Sequence, residues 1–120
     1  MITGAHSIIY ATNAEAARAF LRDTLGLSNV DAGDGWLIFR SPPAELAVHP
    51  TDPAGSGTVE FYLMCDDLPA TMSDLKAKGV EFTGEVTERG WGTLATLRVP
   101  GAGEVGLYQP RHPVAYNLEG

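Results

Sequence analysis

Two ionisable side chains, His6 and Glu60, hold matching places in the two halves of the chain. Each lies near the start of a predicted apolar strand, and a helix N-cap signal follows six residues later, at Thr12 and at Asp66. Imidazole and carboxylate groups both bind divalent ions, and a carboxylate can instead act as a general base. A metal ion needs three or four such donors, so this pair forms a site only if further donors converge on it.

Aromatic and apolar side chains lie on the same predicted strand faces as these two residues, because side chains alternate across a strand. Such side chains predict either the wall of a small-molecule pocket or a second apolar core where the halves meet. Tryptophans that precede matching strands can stack on a ligand or anchor the sheet. The residues concerned are Tyr10, Tyr62, Met64, Tyr108, Trp36 and Trp91.

The order of predicted elements is a strand, a helix and three strands, used twice. In the first half the strand covers about 3–11, the helix 13–25 with a capping box of Thr12 and Glu15, and the later strands 27–30, 36–40 and 45–49. In the second half the strand covers 58–65, the helix begins near Asp67 and ends at Gly79, and the later strands cover 80–86, 91–99 and 104–109.

This order predicts an α+β fold of two βαβββ modules in one domain. Module one covers about 1–50, a linker about 50–57, module two about 58–110 and a C-terminal tail about 111–120. A single βαβββ unit leaves one sheet face uncovered. Two units side by side form a curved mixed sheet that encloses a cleft and carries its helices on the outer face.

The composition of the chain limits the kinds of partner and the cellular compartment that we expect for it. The chain of 120 residues has a formal net charge of −7, which disfavours nucleic acid and anionic membranes as partners. Its single cysteine, Cys65, cannot form an internal disulfide, and no charged-then-apolar leader or long apolar run is present. These features predict a cytoplasmic protein in which Cys65 is a buried thiol rather than a nucleophile.

Three stretches resemble the vicinal oxygen chelate superfamily, the group of glyoxalase I, bleomycin-resistance proteins, fosfomycin-resistance enzymes and extradiol dioxygenases. They are the Gly-Ala-His-Ser-Ile-Ile-Tyr segment around His6, the helix ending Phe-Leu-Arg-Asp-Thr-Leu-Gly-Leu, and the closing Gly-Glu-Val-Gly-Leu-Tyr-Gln-Pro up to Pro110. The likeness spans nearly the whole chain. It implies the paired-module fold and a homodimer.

The resemblance also implies metal ligands on the first and last strands of each module. His6 and Glu60 match two such positions, and Glu45 or His49 could supply a third. The ion would be Zn, Ni, Mn or Fe(II), acting as a Lewis acid on an oxyanion, with Glu60 or Glu45 as an alternative general base. The last strand departs from the family pattern, because Gly106 stands where a glutamate is usual.

Two functions follow from these features. One is a metal-free protein that binds an aromatic or cationic small molecule, as bleomycin-resistance proteins do. The alternative is a metal-dependent lyase or ring-cleaving dioxygenase. The incomplete ligand set favours the binding protein, and the acidic charge favours a cationic ligand.

Overall fold

The computed structural model describes Met1 and residues 5–118, so residues 3 and 4 of the first predicted strand lie outside the described residues. Its elements in chain order are helix α1 (Ala14–Ala19), a π-helical turn (Phe20–Thr24), strands β1 (Asn29–Asp31), β2 (Leu37–Phe39) and β3 (Tyr62–Met64), helix α2 (Leu68–Ala77), and strands β4 (Phe82–Arg89), β5 (Gly92–Val99) and β6 (Gly103–Pro110). In the described part of the chain, neither helix has the length and apolar character needed to span a bilayer.

The second half forms a four-stranded mixed sheet in the order β3-β6-β5-β4. Strand β3 runs parallel to β6, and the other two pairs are antiparallel. The long β5–β6 ladder joins Gly92 with Pro110 at one end and Val99 with Gly103 at the other. Together with α2, these strands confirm the predicted βαβββ order of this half.

Both helices begin at a side-chain cap. The Asp67 carboxylate accepts a hydrogen bond from the Ala70 amide at 3.0 Å, as the sequence predicts for α2. At α1 the cap is Asn13, whose side-chain oxygen accepts from the Ala16 amide at 3.0 Å. The predicted capping box on Thr12 is wrong, because the Thr12 hydroxyl instead donates to the Gly101 carbonyl at 3.2 Å. That bond ties the start of α1 to the β5–β6 turn.

The core lies between the helices and one face of the four-stranded sheet. Leu97 and Leu68 are almost fully buried, and Phe20 brings the first helical segment onto the same cluster. The remaining buried apolar members are Ala17, Val80, Ala95, Val99, Val105 and Leu107. Both helices therefore cover this face, and the opposite face of the sheet is the one that can carry a site.

The first half differs from the prediction in its strands. Residues 5–11 and 45–49 form no strand, and β1 with β2 makes an isolated antiparallel pair. The predicted strand 58–65 is shortened to Tyr62–Met64. Strand-forming side chains in these segments are therefore exposed: Leu46 is 94% exposed, Val48 93% and Val59 91%. A strand gains stability from a neighbouring strand, and these segments have none in the described chain.

The exposed segments give the chain a large surface. Its solvent-accessible area is 9066 Å², whereas a compact monomer of 12.7 kDa exposes about 6,200 Å². The radius of gyration is 15.4 Å, against about 13.6 Å for a compact domain of this length. The excess is apolar to a considerable extent, since it includes Ile8 and Tyr10 as well as the segments around Val48 and Val59.

Candidate ligand-binding site

The site is built on a close approach between β3 and β6. Tyr62 lies in register with Gly106 of β6, and a Cβ added to Gly106 would overlap the Tyr62 ring. Only glycine leaves room for the ring at this point. Gly106, which departs from the family pattern, therefore has a structural role: its missing side chain is the space that the Tyr62 ring occupies.

Three aromatic rings meet here and form what we call the aromatic wall: Tyr62, Trp91 and Tyr108. The Trp91 and Tyr108 centroids are 5.0 Å apart at an interplanar angle of 89°, and the Tyr62 and Tyr108 centroids are 5.8 Å apart at 90°. Tyr62 and Trp91 are 6.2 Å apart. These edge-to-face contacts stabilise the cluster beyond its buried area, so the rings are held in fixed orientations.

The aromatic wall combines buried and exposed surface. Tyr108 is 8% exposed, whereas Tyr62 and Trp91 are each 37% exposed. Met64 pairs with Tyr108 in the β3–β6 register and is half-buried on the same sheet face. The exposed surfaces of Tyr62 and Trp91 are thus the part of the wall that a ligand can reach.

Carboxylates bond to both tyrosine hydroxyls of the wall. Tyr62 donates to Glu60, and Tyr108 donates to Glu45 Oε1 at 3.2 Å. The hydrogen bond from Tyr62 to Glu60 raises the pKa of the Tyr62 phenol. Burial, followed by the charge and hydrogen bond of Glu45, raises the pKa of Tyr108 to about 12. Both phenols therefore remain protonated donors at neutral pH.

His112 is a site residue that sequence reasoning missed, because it lies in the predicted C-terminal tail of about 111–120, outside both modules. Its Nε2 is 3.3 Å from the Tyr108 hydroxyl oxygen and 3.6 Å from Glu45 Oε1. No motif marks it, since a single histidine in a polar, proline-interrupted segment has no predictable position. The Cys65 thiol lies behind the wall, 3.6 Å from the Tyr108 carbonyl oxygen, and burial raises its pKa.

The predicted site residues fall into two groups. Glu45, Glu60, Tyr62, Met64, Trp91 and Tyr108 lie at or beside the aromatic wall. Four others lie on exposed segments of the first half: His6, Tyr10, Trp36 and His49. Trp36 contacts the Arg18 guanidinium, 5.5 Å from its ring centroid, rather than the wall.

The residues predicted to hold a metal ion do not converge within this chain. The described residues contain no group of three or more His, Cys, Asp and Glu side chains placed to hold an ion. Glu45 is close to His112, and Glu60 bonds to Tyr62. The donors in the described part of the chain are therefore not arranged to hold a divalent ion.

Two surface hollows of the described chain lie away from the aromatic wall. A cavity of about 340 Å³ opens between the π-helical turn and the sheet edge, with Phe20, Lys78 and Arg98 in its lining. A second, of about 440 Å³, lies between Gly26 and Pro43. Neither brings together groups that could bind a ligand specifically. The wall is a shallow surface, and its fixed rings and hydrogen-bonded hydroxyls are the stronger evidence for a site.

Comparison with known proteins shows the family of the chain. The profile of the Glyoxalase/Bleomycin resistance protein/Dioxygenase superfamily matches residues 4–103, and the chain belongs to that superfamily. No functionally curated protein matches the sequence.

Several solved structures share the fold. TnmS3, an antibiotic binding protein from a Streptomyces species, is 26% identical over 92% of this chain and 98% of its own, with a TM-score of 0.63. A superfamily member from Sphaerobacter thermophilus is 21% identical over 90% of this chain and 98% of its own, with a TM-score of 0.61. A lactoylglutathione lyase from Agrobacterium tumefaciens is 16% identical over 89% of this chain and 92% of its own, also with a TM-score of 0.61.

Proposed function

We propose that this protein binds a small aromatic molecule against the exposed surfaces of Tyr62 and Trp91. The observation that carries the proposal is the packing of the Tyr62 ring over Gly106. The family resemblance implies a glutamate ligand at position 106. This chain has Gly106 there, and the Tyr62 ring occupies the space of the missing side chain. A fixed ring offers a ligand apolar contact area at low entropic cost.

The polar groups beside the wall add specificity. Glu60 orients the Tyr62 ring, and Glu45 lies at the other end of the wall beside Tyr108. With a formal net charge of −7, the protein attracts cationic compounds more strongly than anionic ones. The ligand class proposed is therefore an aromatic compound that is neutral or cationic. The antibiotic binding protein among the similar structures supports small-molecule binding in general.

A homodimer is part of this proposal. The chain exposes about 2,800 Å² more than a compact monomer of its mass, and the exposed segments are rich in apolar side chains. Covering this excess on both chains would bury about 5,600 Å² in total, which lies at the upper end of the range for obligate homodimers. A second copy that covers these segments would also bring His6 and Tyr10 into an interior. Sedimentation analysis tests this, and a monomer at micromolar concentration would contradict it.

Ligand binding is measured through Trp91. The chain has two tryptophans, so Trp36→Phe leaves Trp91 as the single indole reporter beside Tyr62. A panel of neutral and cationic aromatic compounds is titrated into this variant and screened by thermal shift. Tyr62→Ala is expected to weaken binding about tenfold, since it removes a contacting ring. An affinity unchanged by Tyr62→Ala would overturn the proposal.

Tyr10→Ala is the matched variant, because Tyr10 belongs to the predicted wall but lies 86% exposed on a separate segment. Unchanged binding in Tyr10→Ala confines the site to the described wall. A loss equal to that of Tyr62→Ala would show that the N-terminal segment joins the site in the bound protein.

Metal content separates this proposal from the lyase or dioxygenase alternative. The purified protein is loaded with Zn, Ni, Mn or Fe(II), dialysed and analysed. The binding-protein proposal expects no retained ion. One retained equivalent that is lost in both His6→Ala and Glu60→Ala would restore the metal-dependent enzyme as the better function.

A further inference from the structure

The buried end of the aromatic wall is covered by polar segments. Tyr108 is only 8% exposed, although it belongs to the same cluster as Tyr62 and Trp91, each 37% exposed. Two side chains contact its hydroxyl: Glu45, from the distant first half, and His112, four residues further along the chain. These two side chains cover the hydroxyl end of the Tyr108 ring, whereas the Tyr62 and Trp91 rings pack against its sides.

Glu45 joins its own segment in the first half to two places near the C-terminal end, Tyr108 of β6 and Ala115 of the tail. Its Oε1 accepts a hydrogen bond from the Tyr108 hydroxyl at 3.2 Å, and its Oε2 accepts from the Ala115 amide at 2.9 Å. The Glu45 side chain is only 17% exposed. Hydrogen bonds to a shielded carboxylate are stronger than those between neutral groups. Arg111, the first residue of the tail, bonds to the Trp91 carbonyl, and beyond it this carboxylate is the main attachment of residues 112–116.

His112 makes a second contact between the tail and Tyr108. Its Nδ1 is 2.9 Å from the Pro113 carbonyl oxygen, which can only accept, so Nδ1 carries a proton. Its Nε2 then faces the Tyr108 hydroxyl at 3.3 Å. The Tyr108 hydroxyl has one proton for two acceptors, Glu45 and His112, so the histidine contact is the weaker of the two attachments.

The tail has little apolar attachment. Among the described residues, the buried core includes none from 111–118, and Tyr116 and Leu118 are 41% and 74% exposed. A segment held by a few hydrogen bonds over a packed surface opens locally at low free-energy cost. Residues 112–116 can therefore detach from the surface without disturbing the core beneath the sheet, while Arg111 stays bonded to the Trp91 carbonyl.

We propose that residues 112–116 form a strap over the Tyr108 end of the aromatic wall, latched by Glu45, and that the strap limits access of aromatic ligands to the wall. The inference rests on the proposed function, since it assigns a gate to the same site. With the strap closed, only the Tyr62 and Trp91 surfaces are accessible. With it open, the whole wall is exposed to the ligand.

Chymotrypsin cleavage after Tyr116 measures opening without any ligand. Cleavage requires the strap to leave the surface, so its rate reports the open population when closing is fast. Glu45→Ala is expected to accelerate release of residues 117–120 about tenfold. The control is Glu104→Ala, which removes an exposed carboxylate at the opposite end of β6. Equal cleavage rates in the parent and Glu45→Ala would overturn the latch.

Quenching of Trp91 fluorescence tests the gate itself. In the Trp36→Phe background, the quencher is N-methylpyridinium, a small aromatic cation. Glu45→Ala is expected to raise the quenching constant about threefold, because the quencher then reaches the wall from the Tyr108 side. Faster cleavage with an unchanged quenching constant would show a strap that does not gate the wall, and would overturn that part of the proposal.

Glu45→Ala could open the wall simply because it misfolds, so Ala115→Pro serves as a second variant that breaks the same hydrogen bond. It removes the amide donor of the latch and leaves the carboxylate in place. Quenching of Trp91 should rise in this variant as it does in Glu45→Ala, with an unchanged melting temperature. Quenching at the parent level in Ala115→Pro would contradict the strap. Since neither measurement uses a bound ligand, failure here is distinct from failure of the aromatic compounds to bind.

Discussion

The two halves of this chain carry the same order of predicted elements but differ in what they build. The second half forms a four-stranded sheet that packs against helices through Leu97 and Leu68. The first half forms α1, the π-helical turn and a two-stranded ladder, and its other strand-like segments remain unpaired. The helix of the first half nevertheless joins the core of the second, through Ala17 and Phe20.

The difference shows how far each kind of element depends on its surroundings. A helix satisfies its backbone hydrogen bonds within itself and needs only an apolar surface to pack on. A strand needs a neighbouring strand, and two strands alone are only marginally stable. The second half supplies its own neighbours through the β4–β5–β6 meander. The first half lacks such neighbouring strands in the described part of the chain, and this is the physical basis for the proposal of a second copy.

The largest expected effect comes from the core of the second half. Leu97 is 0% exposed, so Leu97→Ala should lower the free energy of unfolding by about 2–5 kcal/mol at any protein concentration. Leu46→Ala is the counterpart in the first half, where the side chain is 94% exposed, and it should change stability by less than about 0.5 kcal/mol in the monomer. Urea unfolding at several concentrations measures both. An effect of Leu46→Ala that grows with concentration would indicate burial in a dimer.

The close approach of β3 and β6 is the next point to test. Gly106→Ala places a methyl group where the Tyr62 ring lies, and should cost about 1–3 kcal/mol while displacing the ring. Ligand affinity should fall with it. Gly90→Ala is the matched control, because a Cβ at Gly90 has no atom within 4 Å. If Gly106→Ala kept both stability and binding, the ring would not depend on the glycine.

The stability lost on removing a helix cap can be compared directly between the two halves. Asp67→Ala and Asn13→Ala each remove one capping bond of 3.0 Å, and each should cost about 0.5–2 kcal/mol. The Asn13 backbone also donates to the Gly101 carbonyl, a bond that survives the side-chain substitution. Thermal unfolding of both variants gives the comparison. A negligible effect of Asn13→Ala alone would mean that packing of Phe20, rather than the cap, holds α1 in place.

A different kind of effect is expected at high pH, outside the physiological range. The pKa of Tyr108 is raised from 10.0 to about 12, so the unfolded chain loses this proton before the folded protein does. The free energy of unfolding should therefore be insensitive to this group below pH 10 and fall as the pH rises from 10 to 12. Tyr108→Phe should flatten this decline in a pH series of urea unfolding. An equally steep decline in Tyr108→Phe would assign the effect to other groups.

Several features of the fold could be predicted from the sequence because they depend on local chemistry. Asp67 and Gly79 bound α2 through a cap and a positive φ of 88°, and both are visible as residue types. The alternation along β3 correctly placed Leu63 against the core and Tyr62 on the opposite face. The cap at Asn13 instead of Thr12 was not predictable, since adjacent residues both suit that role and the Gly101 carbonyl decides between them.

Some features of the candidate site could likewise be predicted from the sequence, whereas others could not. Tyr62, Trp91 and Tyr108 could be selected from the sequence, because strand parity and matching positions put aromatic side chains on a common face. The sequence alone could not show that Gly106 makes room for Tyr62, that Glu45 reaches Tyr108 across 63 residues, or that His112 joins them. Periodicity determines which face a side chain takes, but contacts between remote segments depend on how the chain closes. Only the tertiary structure decided those contacts, and with them the shape of the wall.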